Sequence, residues 1–77
     1  MNQTTTLWDI RPGQSATVRA LLSSGAMRRR LMDIGLVEGT KVQCVQSSPL
    51  GDPKAFLIRG AVIALRGVDA RNILMAE

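Results

Sequence analysis

Histidine is absent from the sequence, and Cys44 is the one cysteine in 77 residues. The first absence removes the side chain that most often serves as a general base near neutral pH and as a transition-metal ligand. A single thiol falls short of the about four ligands that a structural zinc site takes. Cys44 shares one face of an alternating stretch, Lys41 to Gln46, with Val42, a position that suits a small buried hydrophobe better than a nucleophile. Gly51 and Gly60 are isolated, and neither stands between a strand and a helix start, so they do not make a phosphate-cradling loop. Asp52 and Asp69 lack a partner acid at a telling spacing and read as turn formers. The expectation is therefore a non-enzymatic domain that binds a partner, with no catalytic residue, cofactor or metal site.

Three surface features are the candidates for that contact. The first is Arg28-Arg29-Arg30. Consecutive residues spread around a helix of ~3.6 residues per turn, so the three cannot all meet one partner. The second is Leu50 within Ser48-Pro49-Leu50-Gly51-Asp52-Pro53. Prolines and a glycine make this a stiff loop, and a large apolar side chain there either plugs the end of the fold or projects toward a partner. The third is the pair Arg59 and Arg66, read as the ends of two neighbouring strands and as a contribution to a basic rim. Pro49, Leu50, Gly51, Asp52, Arg29, Arg30, Arg59 and Arg66 are thus the candidate partner-binding residues.

The elements that must position them follow from hydrophobic periodicity. Met1 to Thr6 is polar and is expected to be flexible. Leu7 to Ile10 is a short apolar segment stopped by Pro12-Gly13. From Gln14 to Leu22, Ala16, Val18, Ala20 and Leu22 fall on one face, the pattern of a half-buried strand. Met27, Leu31 and Ile34 then recur at helical spacing over Ala26 to Ile34. Ser23 or Ser24 is placed to cap that helix, and Gly35 to end it with Leu36 folding back. Lys41 to Gln46, Ala55 to Arg59 and Val62 to Arg66 read as strands, the last two joined by a Gly60-Ala61 turn. Val68 to Asn72 reads as one helical turn and Ile73 to Met75 as a last strand. The fold class is mostly β with one short inserted helix, five or six strands that are expected to close into a small barrel, because closure removes exposed edges.

Composition bounds the rest. The chain has room for one domain, assigned to residues 7–77. Its 45% apolar content is globular, and with only Trp8 and Phe56 as aromatics the core must be aliphatic. Ten basic residues against six acids give +4, which suits an acidic surface or serves solubility. A small unstapled domain fits a reducing, cytoplasmic setting. The N-terminus has the pattern of neither a signal peptide nor a membrane span.

The ordered set of segments resembles the ferrous iron transport protein A (FeoA) family. It comprises Pro12-Gly13, Arg29-Arg30-Leu31-Met32-Asp33-Ile34-Gly35-Leu36, Gly39-Thr40, Ser48 to Pro53, Arg59-Gly60, Ile63-Ala64-Leu65-Arg66 and Asp69-Ala70-Arg71-Asn72-Ile73. The likeness runs from Leu7 to Met75. Val37 stands where the family usually has proline, which loosens the turn there. The resemblance implies an SH3-like barrel, similar to the C-terminal domain of iron-dependent repressors. It also implies a cytosolic accessory that docks on the membrane ferrous iron transporter, with the transporter's cytosolic GTP-binding part as the expected partner. It leaves open whether such an accessory activates GTP hydrolysis or aids assembly. Self-association through an exposed loop is a further expectation.

Two other readings compete. A basic nucleic-acid-binding module would use the arginines, but a single-strand binder of this kind wants aromatic stacking platforms, and two aromatics are few. A metal-sensing domain ranks last, since iron would have to be held by carboxylates and carbonyls.

Overall fold

The alternating stretches become paired strands in the computed structural model, which describes residues 5–76. The strands are β1 (Thr5–Thr6), β2 (Ser15–Leu21), β3 (Lys41–Ser47), β4 (Lys54–Ile58), β5 (Ala61–Leu65) and β6 (Ile73–Ala76). They form one antiparallel sheet in the order β1-β6-β2-β3-β4-β5. Helix α1 (Gly25–Asp33) lies between β2 and β3, and the single-turn α2 (Gly67–Ala70) between β5 and β6. Leu7–Asp9 forms a 3-10 turn after β1. The mostly β class with a short inserted helix is therefore observed, but the sheet stays open. β1 ends after two residues in the 3-10 turn and β5 leads into α2, so the two end strands are not partners of each other. Thr5 and Thr6, expected to be flexible, pair with Met75 and Leu74; residues 1–4 of that expected segment lie outside the described residues.

The core is aliphatic around one ring. Phe56 on β4 is fully buried with Leu7, Leu31, Leu36, Val42 and Ile73. Cys44 belongs to the same cluster. Burial pushes its thiol pKa up, and the charge of Lys54 opposes this only in part, as befits a packing residue.

Helix α1 buries Leu31 and leans Met27 and Ile34 on the core. Ser24 occupies the N-cap position without a side-chain cap bond. Gly25 follows it with φ 61, so the chain does not enter the helix in a right-handed turn that would present amides to the hydroxyl. At the other end Gly35 N–H donates to Met32 O and Leu36 N–H to Leu31 O, both at 3.0 Å. This is a Schellman ending, and Leu36 is buried by it. The following turn, where valine stands in place of proline, is closed by a 3.0 Å bond from Thr40 N–H to Val37 O.

Register shifts between Val18 and Ala20 and between Cys44 and Gln46, and the placing of one turn, depart from simple alternation. A bulge between Val18 and Ala20 shifts the β2–β6 pairing, and beyond it Leu21 leans on the core while Leu22 is exposed. The β4–β5 hairpin turns at Arg59-Gly60, not Gly60-Ala61. Ile58 faces Ala61, and the two central residues have φ 50 and φ 85, the signs of a type I′ turn.

Candidate docking site

The Pro-bounded loop joins β3 to β4, and its shape is set by bonds at its base. Gly51 N–H donates to Ser48 O at 2.8 Å, which makes Pro49 and Leu50 the tip of a four-residue turn. Ser48 N–H donates to Pro53 O at 3.1 Å and closes the loop below that turn. Asp52 is exposed, and one of its carboxylate oxygens also serves the loop. Its Oδ1 accepts from Gly67 N–H at 3.1 Å, tying the loop to the start of α2.

Lys54, the residue after the loop, completes the anchor. Its Nζ donates to Trp8 O at 2.7 Å and Ile10 O at 3.4 Å. The same ammonium stands 4.5 Å from the centroid of the Trp8 ring, and the Arg71 guanidinium 5.0 Å from it. Cation–π pairs contribute about 0.5–1 kcal/mol at exposed sites. The loop is thus held on one side by α2 and on the other by the 3-10 turn. What it holds up is Leu50, 93% exposed. Of the two sequence readings of Leu50, the structure selects projection over a core plug.

The arginines separate into different roles. Arg28 Nη1 donates to Leu21 O at 3.2 Å and serves the fold. Arg29 is exposed on α1. Arg30 and Arg66 line one cleft of about 540 Å³, with Met27, Leu31 and Ile34 of α1, Ile63 to Leu65 of β5, and Val68 and Asp69 of α2. Arg59 is elsewhere. It sits in the hairpin turn, at the far end of β5 from Arg66, a strand length of about 16 Å at ~3.3 Å per residue. Its stem lies over Gly35, where an added Cβ would fall 3.0 Å from Arg59 Cδ. Arg59 and Arg66, each expected to add to a basic rim, therefore stand at opposite ends of β5. Arg66 shares its cleft with Arg30.

Sequence reasoning missed Trp8, Lys54, Arg71 and Val68. Trp8 and Lys54 had a legible signal, the lone tryptophan and a lysine just after the Pro-bounded loop. Their meeting is long-range and was not readable from spacing. Among the described residues, no group of three or more Cys, Asp or Glu is placed to hold a metal ion. None of the described helices is long and apolar enough to cross a membrane.

The fold and site define a small, mostly β SH3-like domain with an exposed leucine on an anchored loop. The FeoA domain model matches residues 5–77, and the chain belongs to the FeoA family. It is 31% identical over 67 residues to the Fe(2+) transport protein A/Fe(2+) transporter FeoB fusion protein of Porphyromonas gingivalis. That match covers 87% of this chain and 8% of the fusion protein. The solution structure of the FeoA protein from Chlorobium tepidum superposes with a TM-score of 0.86 at 35% identity, over 92% of this chain and 68% of that one. The zinc-complexed FeoA of Stenotrophomonas maltophilia, described as a prokaryotic SH3 domain protein, gives 0.83 at 28% identity, over 94% and 89%.

Proposed function

We propose that this chain is an accessory of ferrous iron uptake that docks from the cytoplasmic side on the membrane ferrous iron transporter and supports or regulates it by protein–protein contact. The observation that carries the proposal is Leu50, a large apolar side chain 93% exposed on a loop that is closed at its base and tied on its β4 side to α2 and to the 3-10 turn. Leaving such a group in water is unfavourable, and pinning it in advance lowers the ordering cost of binding. The choice of partner rests on the Porphyromonas gingivalis relative, in which an FeoA segment and the FeoB transporter share one chain. The transporter's GTP-binding part is the expected surface. Pro49 and Gly51 shape the tip, Asp52 and Lys54 hold it, and the role is non-catalytic.

The nucleic-acid reading gains no support from the arrangement. Arg28 donates to Leu21 O, the Arg59 stem packs by Gly35 and Arg71 stands over the Trp8 ring, so three of the arginines serve contacts within the fold.

The test is retention of this chain on the purified full-length transporter, with Leu50→Asp alongside. Withdrawing one leucine from a dry contact costs about 1.5–3 kcal/mol, so retention falls at least tenfold. Because Leu50 touches little of the fold, the thermal midpoint stays within about 2 °C. Wild-type retention by the folded variant would overturn the loop as the docking element. No retention of wild type would overturn the transporter as partner.

A further inference from the structure

The sheet ends at β5, and that end is bare. With Arg59-Gly60 as a two-residue turn, the mutually bonded pairs of the β4–β5 hairpin are Ile58–Ala61, Phe56–Ile63 and Lys54–Leu65. Val62 and Ala64 therefore turn their N–H and C=O groups away from β4. None of the turn, loop and cap bonds among the described residues reaches them. Their side chains are exposed as well, Val62 at 62%. A protein ordinarily blunts such an edge with lysine, proline, a bulge or a covering element. Ala61-Val62-Ile63-Ala64-Leu65 contains neither residue, and its pairing with β4 has no register shift.

The edge also has a wall beside it. The cleft of about 540 Å³ is lined by Ile63 to Arg66 on one side and by Met27, Arg30 and Ile34 of α1 on the other, a volume within the ~300–1,000 Å³ range of ligand sites. Two cations, Arg30 and Arg66, line it against one acid, Asp69. Arg59 stands beyond the other end of the strand. Backbone groups waiting for a ladder, an apolar trough and a net positive lining together specify a guest.

We propose that the β5 edge takes an extended, acidic segment of another protein as an added strand. The segment would bond to Val62 and Ala64, lay apolar side chains against Met27, Ile34 and Ile63, and set carboxylates near Arg30 and Arg66. A second copy of this chain fits worse. Antiparallel two-fold pairing about Ile63 brings Val62 opposite Ala64 of the copy, but it also brings Arg59 of each chain opposite Gly67 of the other, one residue from Arg66, so that like charges gather at both ends. The proposal does not depend on Leu50 or on the transporter as partner.

The probe is a synthetic peptide alternating glutamate and valine, titrated at low salt into the full chain while amide hydrogen exchange is followed. The expected result is binding with new protection at Val62 and Ala64. Binding should weaken about tenfold or more in Val62→Pro, which removes an outward donor without touching the ladder to β4. Arg66→Glu, which leaves the backbone alone, should weaken it similarly, and so should N-methylation of the peptide backbone, which leaves the protein unaltered. Equal binding of the N-methylated peptide, or of the lysine–valine counterpart, would overturn the proposal. So would absence of binding by the acidic peptide. Concentration-dependent dimerisation that protects Val62 and Ala64 without peptide would overturn it in favour of a second copy.

Discussion

The two ends of the β4–β5 hairpin are built on different physics. At the loop end, Leu50 is held out by polar ties from Asp52 to Gly67 and from Lys54 to Trp8 and Ile10. At the turn end, Arg59 packs by Gly35, where a side-chain Cβ would fall 3.0 Å from Arg59 Cδ and 3.3 Å from Ile58 Cγ2. Close packing supports the core where the helix meets the hairpin. Directional bonds to main-chain groups orient an exposed side chain without burying it. The difference separates what holds the domain together from what it presents, and substitutions at each end should move different readouts.

The largest effect on stability belongs to the packed end. Gly35 has φ 106, a conformation that costs a side-chain-bearing residue about 1–2 kcal/mol. The added Cβ also meets Ile58, which cannot swing away because it is buried. Gly35→Ala should lower stability by about 2–3 kcal/mol in urea titration. Just below the transition, retention of the partner should be unchanged per folded molecule. A loss of docking with stability intact would invert the comparison.

Next comes the polar end. Lys54→Met keeps the stem and removes the ammonium from Trp8 O, Ile10 O and the ring. A hydrogen bond involving a charged group is worth about 1.5–3 kcal/mol net. The expected loss of stability is about 1.5 kcal/mol, because the freed carbonyls regain water. Docking should weaken several-fold as the Pro49–Leu50 tip loses its orientation. Trp8 is the one tryptophan, so its emission reports the change directly. An unshifted spectrum with unchanged docking would mean that Lys54 does not hold the loop.

How much of this was legible depended on range in sequence. Met27, Leu31, Ile34, Gly35 and Leu36 follow local rules, and the helix and its ending were readable. Leu22 was expected inside with Val18, but the bulge at Arg19 reverses the faces beyond it, and nothing local marks a bulge at an arginine. The hairpin turn was misplaced by one residue because Arg59 takes the left-handed conformation, φ 50, that sequence rules assign to glycine or asparagine. Leu50 could not be assigned because a proline-bounded turn serves a plug and a projection equally. The loop that carries it is fixed in part by Asp52 bonding to Gly67, fifteen residues on. Arg30 and Arg66 line one cleft only because α1 lies across it from β5, a fact of tertiary placement.

The smallest effect tests the loop from within. Ser48 Oγ is buried and has no hydrogen-bond partner among the described residues, although Ser48 N–H and Ser48 O both carry the loop's own bonds. Those main-chain bonds do not need the hydroxyl. A buried polar atom without a partner carries its desolvation cost of about 1–3 kcal/mol with no return. Ser48→Ala removes that cost while leaving the turn, the Asp52 tie and Leu50 in place, offset by a small loss of packing. The expected outcome is stability unchanged or raised by up to about 1 kcal/mol, with docking at the wild-type level. A clear destabilisation in urea titration would mean that the hydroxyl is bonded to a fixed water. The loop end would then depend on a buried polar network as well as on its visible ties.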